Sequence, residues 1–350
     1  MYRIDKNYCM SSFLAVRHVA QEGVAWAEGI LPNFKRRDFS KSDVVYNSDD
    51  IDKSIRKQLE KIDLSKTGIM LSGGMDSAIL ATYLPKGSKA YTMHSVAEGA
   101  INEIEQAKFY ADRLGLDLKV VDVTWEDYQK FIPILAKNKK SPFHSIEPQI
   151  YKTLLTAKND GCEYVLCGEN ADAIFGGFDG LLSVDWTLKD FIQRYSYVSP
   201  YDVLKQPIDT SHIYIPYVNS GILFVHEFMN NVFAEESLNS YINPANILNI
   251  NLITPFAYMK MGCELDLERV RNGENKYLIR ELFSQRYNGL EPNKKLPMPR
   301  AIGVWLKNWE GPKRDEFRKF DINELKPDQK WLVYILEQFL NMLDRGELND

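Results

Sequence analysis

Gly68-Ile69-Met70-Leu71-Ser72-Gly73-Gly74-Met75-Asp76-Ser77 is the stretch whose reading decides the fold. Its first four residues read as a short buried strand, and an apolar helix is expected from about Ser77 to Leu84. Between them, Gly73 and Gly74 permit backbone geometries closed to other residues, and the missing side chains let amide N–H groups approach an anion. The helix start faces the same place, and the hydroxyls of Ser72 and Ser77 add donors, so a phosphate tail is the natural guest. At common usages of roughly 5–7% per residue, five defined positions coincide on the order of once in a million windows. No G-x-x-x-x-G-K-[ST] occurs, nor a G-x-G-x-x-G after a strand, which removes the two commonest phosphate loops. Asp76 inside the loop suggests Mg²⁺ beside the phosphates of ATP, because that cation prefers carboxylate and phosphate oxygens.

Working outward, Ile51, Ile55, Leu59 and Ile62 repeat at helical spacing before the strand. After the loop come a strand near Ala90–Val96, a helix over Asn102–Leu114 closed by Gly115 and a strand at Leu118–Val123. Helices near Glu126–Ala136 and Pro148–Asn159 and a strand at Tyr164–Cys167 follow. This alternation predicts an α/β fold, a parallel twisted sheet flanked by helices. Beyond Gly180 helical spacing dominates, ending in a helix capped by Asp328 with Leu332, Ile335, Leu336, Phe339 and Leu343 on one stripe. The expected division is an N-terminal extension over 1–50, with a helix near Ser11–Gln21, an α/β core over 51–180, and a mainly helical part over 181–350 that completes the site.

The second concentration of unusual residues is Gly168-Glu169-Asn170-Ala171-Asp172-Ala173-Ile174-Phe175-Gly176-Gly177, directly after the strand Tyr164–Cys167. Ligands of a parallel sheet bind beyond the carboxyl ends of its strands, so both loops are expected to face one crevice. On their own, Glu169 and Asp172 read more readily as acids at a helix start than as catalytic groups.

Together the two loops resemble the synthetase domain of the asparagine synthetases and their relative β-lactam synthetase, with its S-G-G-x-D-S and G-E-G-x-D-E-x-F-G-G loops. Asn102-Glu103 with Ala107 and Leu114-Gly115 is similar to the family's D-E-x-x-x-A helix and closing L-G. Thr254-Pro255-Phe256 resembles its V-P-F, and Lys276-Tyr277-Leu278-Ile279-Arg280 its K-x-x-L-R. Pro292-Asn293-Lys294-Lys295 with Ile302-Gly303-Val304-Trp305-Leu306 resembles its R-x-K segment and P-x-G-x-W-L. The resemblance implies an ATP-pyrophosphatase core of the adenine nucleotide α-hydrolase kind, an ATP-dependent ligase that adenylates a carboxylate and passes it to ammonia or an amine. It implies that Ser72, Gly73, Gly74, Asp76, Ser77 and Gly168 hold the phosphates, that Met93 lines the adenine pocket, and that Asp76 and Asp172 bind Mg²⁺. Glu169 would be the base, and Lys295, counted back from Trp305, would stabilise charge at the α-phosphate.

Three departures from the family pattern stand out. Tyr2 stands where the family's glutaminase half has its nucleophilic cysteine, so the nitrogen is expected from ammonia, an amine or a separate glutaminase subunit. Asn170 and Ala173 replace a Gly and a Glu of the metal loop, and Asn293 replaces the arginine two positions before the lysine.

The formal net charge of −5 and a pI near 5.7 argue against nucleic acid or an anionic membrane as partner. Four cysteines without metal spacing, no signal-like N-terminus and no long apolar run lead to the expectation of a folded cytoplasmic enzyme. Two other readings use the same loops: a nucleotide-binding regulatory protein derived from a synthetase, with Ala173 marking lost metal chemistry, and an ATP-pyrophosphatase that modifies RNA. The acidic balance opposes the second.

Overall fold

The computed structural model describes residues 2–293 and 298–349. Helix α1 (Lys6–Val16) and helix α2 (Ser48–Leu59) lead to strand β1 (Thr67–Met70), helix α3 (Met75–Ala81), strand β2 (Lys89–Ser95), helix α4 (Ile104–Leu114) and strand β3 (Asp117–Val123). Helices α5 (Trp125–Lys139) and α6 (Glu147–Asn159), strand β4 (Tyr164–Leu166) and the single turn α7 (Ala171–Ile174) follow. The C-terminal half supplies helix α8 (Leu188–Tyr195), helix α9 (Ala234–Leu248), strand β5 (Asn251–Ile253), helix α10 (Tyr277–Arg286) and helix α11 (Pro327–Asp344).

The strands form one parallel sheet in the order β5-β4-β1-β2-β3, registered by Leu252↔Val165, Gly68↔Val165, Ile69↔Ala90 and Thr92↔Val120. The α/β reading is therefore the architecture of the chain. The central strands β1 and β4 are buried on both faces, which explains their near-continuous apolar runs, whereas the edge strand β3 keeps exposed Asp117, Lys119 and Asp122. Met70, Val121 and Val165 point to the face covered by α1, α5, α6 and α11, whereas Ile69, Leu71 and Leu166 point to the face covered by α2, α3, α4 and α10. The chain moves outward from β1 through β2 to β3, then returns to place β4 on the other side of β1. That reversal opens a crevice between the ends of β1 and β4, the topological position at which such sheets bind ligands.

Three local details differ from expectation. The first helix begins at Lys6, because the Asp5 carboxylate accepts from the Tyr8 amide and caps it, and it ends at Arg17 in the left-handed region (φ 63°). Residues Tyr8 to Val16 of this helix are all buried, so the segment preceding residue 50 belongs to the core of the fold. The sheet likewise extends past residue 180, since its edge strand β5 comes from the C-terminal half. Asp328 sits within the first turn of α11 and Lys326 takes the cap position, because Pro327 supplies the pre-set dihedral of the first helical residue.

Candidate active site

The two loops meet across the crevice. Ser72 and Ser77 lock the first loop: their hydroxyls lie 2.9 Å apart, the Ser72 amide donates to Ser77 Oγ (3.1 Å) and the Gly74 amide to Ser72 Oγ (3.2 Å). The second loop runs against it so closely that a β-carbon on Gly168 would lie 3.0 Å from the Ser77 amide nitrogen and 3.1 Å from Asp76 Cβ. Glycine at 168 is thus a condition of bringing the loops together. A cavity of about 490 Å³ opens above them, lined by Ser72, Gly74, Asp76 and Ser77 from the first loop and by Gly168, Glu169 and Asp172 from the second. Thr92 and Met93, within β2, form part of its wall. Gly73 stands apart from this set. It packs away from the cavity against α4, where a β-carbon would meet Gln106 Cβ at 2.5 Å.

Asp76 and Asp172 converge on one cation. The Lys276 ammonium lies 2.7 Å from Asp76 Oδ2 and 2.9 Å from Asp172 Oδ1. Burial opposes its charge, but Asp172 and Asp76 outweigh burial and hold the ammonium above its ordinary range. Lys276 occupies the left-handed region (φ 50°, ψ 41°) at the cap of α10, a conformation costing a non-glycine residue about 1 kcal/mol. Gly177 completes the clasp: its amide donates to the Asp172 carbonyl (2.7 Å), and a β-carbon there would sit 2.1 Å from Asp172 Oδ1.

Glu169 has a different environment. Ser237 Oγ on α9 donates to its carboxylate at 2.7 Å, and the buried Tyr241 hydroxyl, one turn further on, bonds it as well. Desolvation raises the Glu169 pKa despite the lowering effect of its bonds to Ser237 and the Asn170 amide. A carboxyl so raised is better matched to proton transfer near neutrality than an ordinary glutamate. Tyr241 is pushed well up by burial and by the Glu169 charge, so the phenol keeps its proton and donates.

Lys295 lies outside the described residues. Its neighbours Pro292, Asn293, Met298 and Pro299 line the cavity. The cavity wall also includes residues that were not among those expected there, with Glu103, Tyr241, Asn275, Lys276 and Arg280 bringing polar or charged groups. Lys276 and Arg280 lie in the segment similar to K-x-x-L-R, so a signal for them existed. Tyr241 lies in a helix that carries none.

The family model for asparagine synthase matches residues 48–239, more than half of the chain. The chain belongs to the asparagine synthase family. A protein of Methanocaldococcus jannaschii named "Putative asparagine synthetase (glutamine-hydrolyzing) 1" is 27% identical over 128 residues, 36% of this chain and 23% of that protein. The match therefore spans under a quarter of that relative's length. Among solved structures, the NMN synthetase from Francisella tularensis overlaps 71% of this chain and 97% of its own, with 11% identity and a TM-score of 0.28. A predicted subunit of tRNA methyltransferase from Methanocaldococcus jannaschii overlaps 66% and 92%, with 17% identity and a TM-score of 0.24. Superpositions that loose fix no residue correspondence.

Within the asparagine synthase family pattern, the Asn170 departure has a backbone explanation. Its φ is 71°, a region that glycine enters freely and asparagine tolerates better than other residues. Its side-chain amide then donates to the Ala234 carbonyl at 3.0 Å, tying the loop to the start of α9. Ala173 is buried in the turn α7.

Proposed function

We propose that this chain is an ATP-dependent, AMP-forming carbon–nitrogen ligase. A substrate carboxylate attacks the α-phosphorus of ATP, pyrophosphate leaves, and ammonia or an amine captures the acyl-adenylate to give an amide and AMP. The observation that carries this reading is the convergence of both family loops on one cavity, with Glu169 beside the paired acids Asp76 and Asp172.

Each residue has a separate task in this scheme. Amides and hydroxyls of Ser72, Gly74 and Ser77 hold the leaving pyrophosphate, and Met93 lies against the adenine. Lys276 fixes the two acids and adds positive charge next to the phosphates. Glu169, positioned by Ser237 and Tyr241, takes the proton from the attacking nitrogen. Lys295 is assigned to the charge that develops at the α-phosphate. Beside the Lys276 ammonium both carboxylates keep further lone pairs, and carboxylate oxygens together with phosphate oxygens suit a small hard cation, so Asp76 and Asp172 would hold Mg²⁺. Mg²⁺ bound there supplies charge neutralisation at the phosphates. The regulatory alternative leaves the enclosed Glu169–Ser237–Tyr241 arrangement without a use. The free thiols of all four cysteines suit a reducing cytoplasm, and no helix among the described residues is long and apolar enough to cross a membrane.

The test is product analysis with ATP, Mg²⁺ and ammonia across a panel of carboxylates. AMP and pyrophosphate in step with amide are the expected products. ADP and phosphate, or no turnover with any carboxylate, would overturn the assignment.

A further inference from the structure

A second cavity of about 720 Å³ adjoins the nucleotide site, and Gly177 and Asp179 line both. Its size falls in the range of about 300–1,000 Å³ that holds drug-sized ligands, ample room for a molecule much larger than aspartate. Aromatic rings form much of its wall. Phe178 meets Phe233 edge to face at 4.7 Å, and Tyr195 meets Tyr197 in the same way at 5.4 Å. Arg17 stacks on the Tyr197 ring from inside the fold, with 4.1 Å from guanidinium to ring centroid, which steadies that side of the wall. Two exposed cations, Arg194 at the end of α8 and Lys326 before α11, stand at the cavity without an ion pair among the described residues. The nearby acid Asp328 is taken by Arg300 at 3.2 Å.

We infer that this cavity seats the carboxylate substrate, and that the substrate is an aryl dicarboxylate. One carboxyl group reaches past Gly177 to the nucleotide, the flat apolar body lies among the four rings, and the second carboxylate meets Arg194 and Lys326. Edge-to-face ring pairs offer an apolar slot for a planar group, and a guanidinium with free donors matches a carboxylate in bidentate fashion. Aspartate, with no aromatic or extended apolar body, would leave the ring wall uncovered. The assignment rests on the adenylating reading, and its test separates the two.

The measurement is carboxylate-dependent exchange of labelled pyrophosphate into ATP, which needs no amine. The probes are L-aspartate, succinate, phenylacetate and 4-(carboxymethyl)benzoate. The aryl dicarboxylate should give the highest kcat/KM, at least tenfold above L-aspartate and phenylacetate. Arg194→Gln, a change at an exposed position, should raise the KM for that probe about tenfold and leave kcat within threefold, removing most of the preference over phenylacetate. Phe233→Leu should weaken both aryl probes relative to succinate. Exchange that favours L-aspartate or succinate, or an unchanged preference in Arg194→Gln, overturns the substrate assignment and leaves adenylation standing. Absence of exchange with all four probes overturns both.

Discussion

Replacing Lys276 by methionine keeps the unbranched side chain out to Cε and removes the ammonium that Asp76 and Asp172 share. At separations of 2.7 and 2.9 Å each ion pair has a gross attraction of about 6 kcal/mol for an effective dielectric near 20. Desolvation returns much of this, and deleting one partner of a buried pair costs about 3–5 kcal/mol net. The lower end applies, because the Asp76 and Asp172 side chains keep 18% and 26% of their exposure. For 350 residues with an unfolding entropy of roughly 2.1 cal/mol/K each, 3 kcal/mol lowers Tm by about 4 °C. The sign with pH follows from the raised Lys276 pKa. Its contribution is fully present below the unfolded value of 10.5 and is lost only as pH rises through the higher folded value, so the deficit of the variant is constant across neutral pH and closes in strong alkali. AMP formation should drop by about 10²–10³-fold, the usual loss for one charge-stabilising donor. Calorimetry from neutral to alkaline pH, paired with an AMP assay, checks both parts. A Tm within about 1 °C of the parent, or a deficit that grows toward alkali, would refute the account of Lys276 as the clasp between the loops.

Three further outcomes are expected. Glu169→Gln should lower the rate of amide formation by about 10²–10⁴-fold with little change in the KM for ATP. Because burial raises the Glu169 pKa, the parent rate should rise with pH through a midpoint above the ordinary 4.5, and a parent profile flat from pH 4.5 upward would contradict the role. Gly177→Ala places a β-carbon on the Asp172 carboxylate, so stability should fall by about 1–3 kcal/mol in urea unfolding and turnover by about 10²-fold; normal turnover would show that Asp172 can move without consequence. Arg17→Met leaves Glu236 buried without its partner at 2.5 Å, which should cost about 3–5 kcal/mol by urea unfolding, and a loss below about 1 kcal/mol would remove the pair from the forces holding α9.

The sheet and the two loops were legible because local patterns encode them. The central strands β1 and β4 are short apolar runs, the helices between strands carry periodic stripes, and a glycine-rich turn has few alternatives. Strand β5 was not legible, since Asn251–Ile253 is three residues long and is half-exposed at the sheet edge. Gly73 has a steric reason that the loop pattern does not carry, since a β-carbon there would meet Gln106 of α4. Lys276 lies 200 positions from Asp76 and Tyr241 lies on a helix remote in sequence from Glu169; the resemblance to K-x-x-L-R marks Lys276 but not its pairing with two acids, and nothing local marks Tyr241. Asn170 shows the opposite case: what read as a loss of the family glycine is a residue able to hold the same positive φ.

The N-terminal segment acquires a role through the same reasoning. Arg17 ends α1 in a left-handed turn and is buried, pairing with Glu236 and stacking on Tyr197 and Phe233. Glu236 belongs to the helix that, one position later, presents Ser237 to Glu169 and, a turn further, Tyr241. On the neighbouring turn of that helix, Asn243 donates to Glu147, which is itself paired with the buried Lys139. A buried ion pair gains little net stability over apolar packing, but it tolerates few alternative arrangements because each wrong one strands a charge. Helix α9 is therefore held in rotation and register by charges supplied from α1, α5 and α6, and its register decides whether Ser237 and Tyr241 reach the Glu169 carboxylate. Helix α1 and Arg17 thus act on the setting of Glu169 without lining the cavity.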